Sequence, residues 1–293
     1  MKSKTLLLLA ALLALPLTAP GRDAAEVPRL SGIVSLPNIK EALFEFPDSP
    51  CCGPRQIVVG ENEDMWGVKV LRILPDRRSV EVSVNGAAAP LTLTLNIGSN
   101  TPPSAAASIE LDKARLLSVL ELYGRFSERT LLYWPSLPPT SVSLKANPRT
   151  AADLAQVLKE TLAKNGVTSI ADGERFEMMV PRDEVNAVKP HPPSTNPPGT
   201  AKPDQSERNK VVIDFYGTDL VQVFYIYAGL VGGEFDRTAP IPAVVQPFIW
   251  MHAKPGLSEL DGVYALDTLL GWRGITMVRS TNGLVRAVHE PRK

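Results

Sequence analysis

The sequence predicts an α+β protein, with a small all-β domain at the front and two duplicated βαββαββ domains behind it. Three observations carry this prediction. First, one stretch occurs twice: IELDKARLLSVLELY over Ile109–Tyr123 and IDFYGTDLVQVFYIY over Ile213–Tyr227. At an offset of 104 residues Ile109 falls on Ile213, Leu111 on Phe215, Leu116 on Leu220, Val119 on Val223, Leu120 on Phe224 and Tyr123 on Tyr227. The first two matches alternate, as on a half-buried strand; the last four recur at i, i+3, i+4 and i+7, which is one helical face. Second, Val80, Val82 and Val84, then Leu91, Leu93 and Leu95, alternate with polar residues around Asn85-Gly86, a pair suited to a tight hairpin turn. Third, the 27 prolines cluster between these segments. Two copies make a domain duplication and not a solenoid, which needs three or more repeats to bury its faces.

Length and charge narrow the classes. The 293 residues leave room for about two or three small domains. Formal net charge is zero, and about −2 once residues 1–24 (Lys2, Lys4 and Arg22 against Asp23) are set aside. That balance offers no electrostatic footprint for nucleic acid. Lys2 and Lys4, the apolar run Leu6–Leu15, Pro16 and the small residues Thr18, Ala19, Ala24 and Ala25 have the layout of a cleaved secretory signal over residues 1–24. The run is about half the ~20 residues a membrane-spanning helix needs. No later segment is long and apolar enough, so the mature chain is expected to be exported, soluble and without an integral membrane segment. Cys51 and Cys52, the only cysteines, are adjacent. They predict a strained vicinal disulfide or two free thiols in the Pro50–Pro54 loop, since neither a CxxC pattern nor a nearby His supports a metal site.

Taken in order, residues 25–96 form the all-β domain. Its strands are Gly32–Val34, Arg55–Val59, Val68–Ile73, Val80–Val84 and Leu91–Leu95, with a turn at Pro75–Arg78. Gly60 and Gly67 bracket the acidic Glu61-Asn62-Glu63-Asp64, whose spacing is not that of a calcium loop and reads as a solvated turn. Residues 97–107, with Pro102-Pro103-Ser104, are a linker. Residues 108–181 are the first βαββαββ domain. Strand Ile109–Leu111 feeds a helix from Lys113 to Ser127; Leu131–Trp134 and Ser141–Lys145 are strands. Thr150 caps the next helix with Asp153 three residues on; Leu154, Val157, Leu158 and Leu162 line its buried face, and Gly166 stops it. Val167–Ile170 and Phe176–Val180 make a hairpin. Residues 182–210 are polar and Pro-rich, with too few apolar residues to fold, and read as a tether. Residues 211–289 repeat the order: strand Val212–Phe215, helix Asp219–Val231, strands Glu234–Asp236 and Phe248–His252, a helix capped by Ser258 with Asp261, and a hairpin turning at Asn282-Gly283.

These residues carry a family resemblance. The segments IELDKARLLSVLELYGR with KANPRTAADLAQVLKETLAKNGV, and IDFYGTDLVQVFYIYAGL with LSELDGVYALDTLLGWRGI, resemble the short N-terminal domain shared by secretins and TonB-dependent receptors, and the related ring domains of the secretin periplasmic region. The resemblance covers about half of the chain and is to the soluble ring and adaptor part, without the pore. The front domain, with IVVG before a β-hairpin and a final LTLTL strand, more weakly resembles the homology-region domain of type II secretion and type IV pilus clamp proteins. The resemblance implies a periplasmic, non-enzymatic component whose partners are a secretin or other envelope-machine subunits, with self-association as a further expectation. A freestanding periplasmic module binding peptidoglycan, a peptide or a signalling partner is the alternative.

Chemistry-bearing motifs are scarce. His191, His252 and His289 fall in the tether, on a strand and near the last residue, and no HExxH, GxSxG or P-loop pattern occurs. No enzyme, metal or cofactor is therefore expected. The apolar surplus is more informative. Tyr225, Ile226 and Tyr227 give the second repeated helix two apolar faces, and Pro247–Met251 is nearly continuous where a one-sided sheet would alternate. Either both faces pack inside the domain or they form an interface. The interface candidates are Val142, Leu144, Tyr225, Phe248 and Trp250.

Overall fold

The structure is a computed structural model that describes residues 27–47, 56–85, 89–95, 107–188, 210–211, 213–242, 248–254 and 257–290. Residues 1–24, expected to be a signal, Cys51 and Cys52, most of the expected 97–107 linker and residues 189–209 of the expected tether lie outside the described residues. Within them the chain is mixed α+β, with five sheets and four α-helices.

The front of the chain builds two sheets. Strands β1 (Arg29–Leu36), β2 (Ile39–Glu45) and β3 (Gln56–Gly60) pair antiparallel in sequence order. Strands β4 (Asp64–Met65), β5 (Val68–Leu74), β6 (Ser79–Val84) and β7 (Leu91–Thr94) form a second meander. Leu30, Ile33, Phe44, Ile57 and Val59 of the first sheet meet Val70, Ile73, Val80 and Val82 of the second in a sandwich core. The opposite face of the first sheet, with Val34, Leu43 and Val58, is also buried, against the next segment. A strand covered on both faces carries no alternation. That is why β2, reading IKEALFE, has no period-two signature to find.

The next two segments share one order and one pairing scheme. The first runs β8 (Ser108–Arg115), α1 (Leu116–Phe126), β9 (Thr130–Tyr133), β10 (Ser141–Ala146), α2 (Ala151–Lys164), β11 (Val167–Asp172) and β12 (Phe176–Pro181). The second, after the short β13 (Lys210–Val211), runs β14 (Phe215–Asp219), α3 (Leu220–Leu230), β15 (Glu234–Phe235), β16 (Phe248–His252), the short β17 (Leu257–Ser258), α4 (Glu259–Gly271), β18 (Ile275–Arg279) and β19 (Leu284–His289). In the first segment β10 pairs antiparallel with β8, β12 parallel with β9 and β11 antiparallel with β12. In the second β14 pairs antiparallel with β16, β15 parallel with β19 and β18 antiparallel with β19.

The correspondence extends to backbone detail. The register of β8 against β10 slips between Val142 and Leu144, opposite Lys113, whose φ is +48°. The register of β14 against β16 slips beside Gly217, whose φ is +75°. Each bulge carries its strand on to the residue that starts the helix. Strand and helix thus meet at Arg115 in the first segment and at Asp219 in the second, with φ/ψ of −61°/145° and −62°/141°. The first helix therefore begins at Leu116, not at Lys113, and β14 lies later than the expected Val212–Phe215. Helices α2 and α4 both open on reciprocal capping boxes, Thr150 with Asp153 and Ser258 with Asp261.

The segments do not keep their sheets to themselves. β8 pairs with β1, giving a five-stranded sheet in the order β10-β8-β1-β2-β3. β9 pairs with β16, giving a second one in the order β11-β12-β9-β16-β14. Leu131, Tyr133 and Met179 on one face of that second sheet pack with α1 and α2; Leu132, Phe215, Ile249 and Met251 on the other pack with α3 and α4. Residues 182–188, expected as the start of a tether, are packed instead. Arg182–Ala187 is a 3-10 turn, and Val188 is buried with Trp134, Met178 and Val180.

Candidate functional site

The densest chemistry lies on one face of α1, where the helix crosses β2 and β3. Its polar residues Ser118, Glu121 and Arg125 recur at helical spacing and face the sheet. Glu45, at the end of β2, accepts from the Arg115 backbone N–H at 2.6 Å and from Ser118 Oγ at 3.3 Å, and Arg29 Nη2 lies 2.7 Å from its other oxygen. The start of α1 has no side-chain cap of its own, so Glu45 stabilises it from another element. Midway along, Glu121 Oε1 accepts from the Val58 N–H at 3.3 Å. At the far end, Arg125 Nη1 reaches Glu41 at 3.2 Å and Glu63 at 3.3 Å, and its Nη2 donates to the Val58 carbonyl.

This seam continues into the segment that begins with β14. Lys254 Nζ donates to the Arg125 carbonyl at 3.1 Å, and its backbone N–H to Thr130 Oγ1 at 3.0 Å. Asp214 Oδ1 accepts from the Ala253 N–H at 2.7 Å and lies 3.8 Å from His252 Nδ1. The His252 ring sits on Gly124, where a Cβ would come within 2.7 Å of it. Glu41 Oε2, Glu121 Oε2 and His252 Nδ1 are buried without a hydrogen-bond partner among the described residues.

Burial sets the protonation of this seam. It pushes the Glu121 carboxyl up to about 8, against the attraction of Arg125. Glu41 is raised for the same reason, and His252 and Lys254 are lowered because burial disfavours their cations. Glu177 is the opposite case. Burial raises it, but Ser169 Oγ at 2.5 Å, Lys159 Nζ at 3.0 Å and Tyr123 Oη at 2.8 Å outweigh burial and hold it below the usual carboxylate range.

The surface is plainer. A cleft of about 390 Å³ lined by Lys40, Arg72, Asp76, Arg77 and Glu81 mixes both charge signs and so offers no field selective for one ion. Among the described residues no group of three or more His, Cys, Asp or Glu side chains could hold a metal, and no helix is long and apolar enough to cross a membrane.

The interface candidates separate. Val142 is buried in the core beneath α1 and α2, and Leu144 is half-buried against the same core. Phe248 is half-buried, and its carbonyl accepts from Arg273 at 2.6 Å. Trp250 is half-buried on the core, with its ring against Gly217. Only Tyr225 of the five is exposed, at 39%, beside Ile226 at 37%; Arg237 lies 5.2 Å above the Tyr225 ring. The Glu121–Arg125 seam escaped the sequence reading. An i, i+4 pair of opposite charges on an apolar helix normally marks a solvated face, and no local signal says that another sheet covers it. No family model, curated protein or solved structure matches the chain.

Proposed function

We propose that the chain is a duplicated pair of βαββαββ ring-type domains behind a small β domain, acting as a non-enzymatic periplasmic adaptor in a type II secretion or type IV pilus-like envelope machine. Its role is to dock onto secretin rings or related subunits through sheet edges and apolar helix faces. The observation that carries the reading is the end strand β14, which pairs on one side only among the described residues and lies beside the exposed Tyr225 and Ile226. The matching order, pairing and caps of the two segments support the duplication.

A ligand-binding module would favour an aromatic-lined concave pocket. Trp134 is instead buried against Trp272, ring centroids 5.0 Å apart, and Trp250 packs on the core. This arrangement favours assembly over capture of a small ligand. The test is a crosslinking pull-down of the tagged full chain from its native envelope, with partners identified by mass spectrometry. Recovery of a secretin or pilus-assembly subunit is expected. Recovery of glycan fragments, or of no envelope machinery, would overturn the reading.

A further inference from the structure

We propose that the open edge of β14 and the outward face of α3 form one continuous docking surface, which takes the edge of a partner protein's bare antiparallel sheet. The inference deepens the docking reading and rests on it and on the equivalence of the two repeats.

The first repeat shows what such a surface holds. The edge of β8 away from β10 is filled by β1, antiparallel, with Gly32 opposite Leu111, Ile33 opposite Glu110 and Val34 opposite Ile109. The approach is close, since a Cβ on Gly32 would lie 2.5 Å from the Leu111 side chain. The strands that follow, β2 and β3, then lie across the face of α1 that carries Ser118, Glu121, Leu122 and Arg125. The first three are buried and Arg125 is 20% exposed.

The 104-residue offset carries this arrangement onto the second repeat. Leu111 and Ile109 become Phe215 and Ile213; Ser118, Glu121, Leu122 and Arg125 become Gln222, Tyr225, Ile226 and Gly229. All four of these α3 positions are exposed, and among the described residues no strand pairs with β14 opposite β16. The faces that a three-stranded sheet covers in one repeat are therefore without such a sheet in the other among the described residues, with Phe235 and Arg237 against the Tyr225 ring. Elsewhere the helix is as well packed as its counterpart, with Leu220, Val223, Phe224 and Tyr227 buried.

Chemistry defines the occupant. The cover of α1 presents Glu41 and the Val58 peptide to Arg125 and Glu121. The four α3 side chains carry no charge of their own, though Arg237 lies over the Tyr225 ring, and Arg125 is replaced by Gly229, around which nothing lies within 4 Å of an added Cβ. A matching sheet presents apolar side chains there and an extended edge strand to β14. In a second copy the strand β1 is already paired on both sides, by β8 and β2. Offering its own β14, such a copy would bring helix α3 and not a bare sheet.

The test places a benzophenone photo-crosslinker at Ile226 of the full chain in its native envelope, with a second at Ala152, exposed on α2, as control. The expected result is a crosslink from position 226, and none from 152, to a strand of one other protein. Wild-type chain should pull down that protein, and Ile226→Asp, with an unchanged thermal midpoint, should lose about ten-fold or more of it. A crosslink from 226 to a second copy, to another part of this chain, or to nothing overturns the proposal. If wild-type chain still recovers envelope subunits in that event, the docking reading survives and only this surface fails. If it recovers none, both fail.

Discussion

Helices α1 and α3 start from the same backbone and end in different surroundings. Both follow a bulged strand, both are eleven residues long, and both bury the same four-position stripe in their own repeat. On α1 the opposite face is closed by β2 and β3 and holds Glu121 and Arg125; on α3 it is open and holds Tyr225 and Ile226. Even the caps follow this division. The start of α1 is held by Glu45 from β2, whereas Asp219 caps α3 itself, accepting from the Val221 N–H at 2.8 Å. The polar face is the covered one and the apolar face is the bare one, the reverse of what burial alone would favour. On the covered polar face Ser118, Arg125 and one oxygen of Glu121 each find a partner across the seam. The apolar face is bare in a helix that is complete without a cover.

The largest expected effect separates the two faces at equivalent positions. Arg125→Met leaves Glu41 and the Val58 carbonyl without this donor and Glu63 with the Gly60 N–H, and should destabilise the fold by about 3–5 kcal/mol in urea unfolding. Gly229→Ala, in open space on an exposed helix, should raise stability by up to about 1 kcal/mol. Equal effects at the two sites would break the comparison.

The seam should also give the chain a pH dependence that the outward α3 positions Gln222, Tyr225, Ile226 and Gly229, with no carboxylate or histidine, do not. The folded Glu121 carboxyl holds its proton up to about 8, against 4.5 when unfolded. Its contribution is therefore fully present below pH 4.5 and is lost as pH rises through 8. With up to about 1.4 kcal/mol per pH unit available, wild type should lose about 3 kcal/mol between pH 5.5 and 8 relative to Glu121→Gln. His252 acts in the other direction. Its lowered pKa leaves stability present above 6.5 and lost as pH falls. A flat difference between wild type and Glu121→Gln across this range would mean that the carboxyl is not enclosed.

The bulges offer a smaller contrast. Gly217→Ala puts a side chain into a left-handed conformation and against the Trp250 ring, 2.8 Å from the new Cβ, and should cost about 2 kcal/mol. Lys113→Gly at the equivalent bulge should gain no more than about 1 kcal/mol by relieving the same conformation. The smallest effect tests likeness. Thr150→Ala and Ser258→Ala each remove a capping box and should each cost about 1 kcal/mol. Thermal or urea unfolding of both variants would show whether the two caps are energetically alike.

Much of the local structure was legible in the residues. The i, i+3, i+4, i+7 stripe places α1 and α3, Thr150 with Asp153 and Ser258 with Asp261 place the starts of α2 and α4, and Gly166 and Gly274 mark their ends. Less legible were β2, whose two buried faces erase its alternation, and the 3-10 turn after β12, whose polar sequence hides the burial of Val188. Among the interface candidates, Val142 and Trp250 looked available because an apolar strand residue reads the same whether a helix or a partner covers it.

The sequence by itself determined most of the elements, their order and the likeness of the two stretches, at an offset of 104 residues for the first helix and 108 for the second, because period, caps and turn residues act within a few positions along the chain. Only the tertiary structure decided that β8 would be joined by β1 and β9 by β16, that Glu121 and Arg125 would lie under a sheet, and that Tyr225 and Ile226 would face outward. Strand edges offer the same backbone groups whatever their side chains, so which edge fills which depends on packing between distant segments and not on any local pattern.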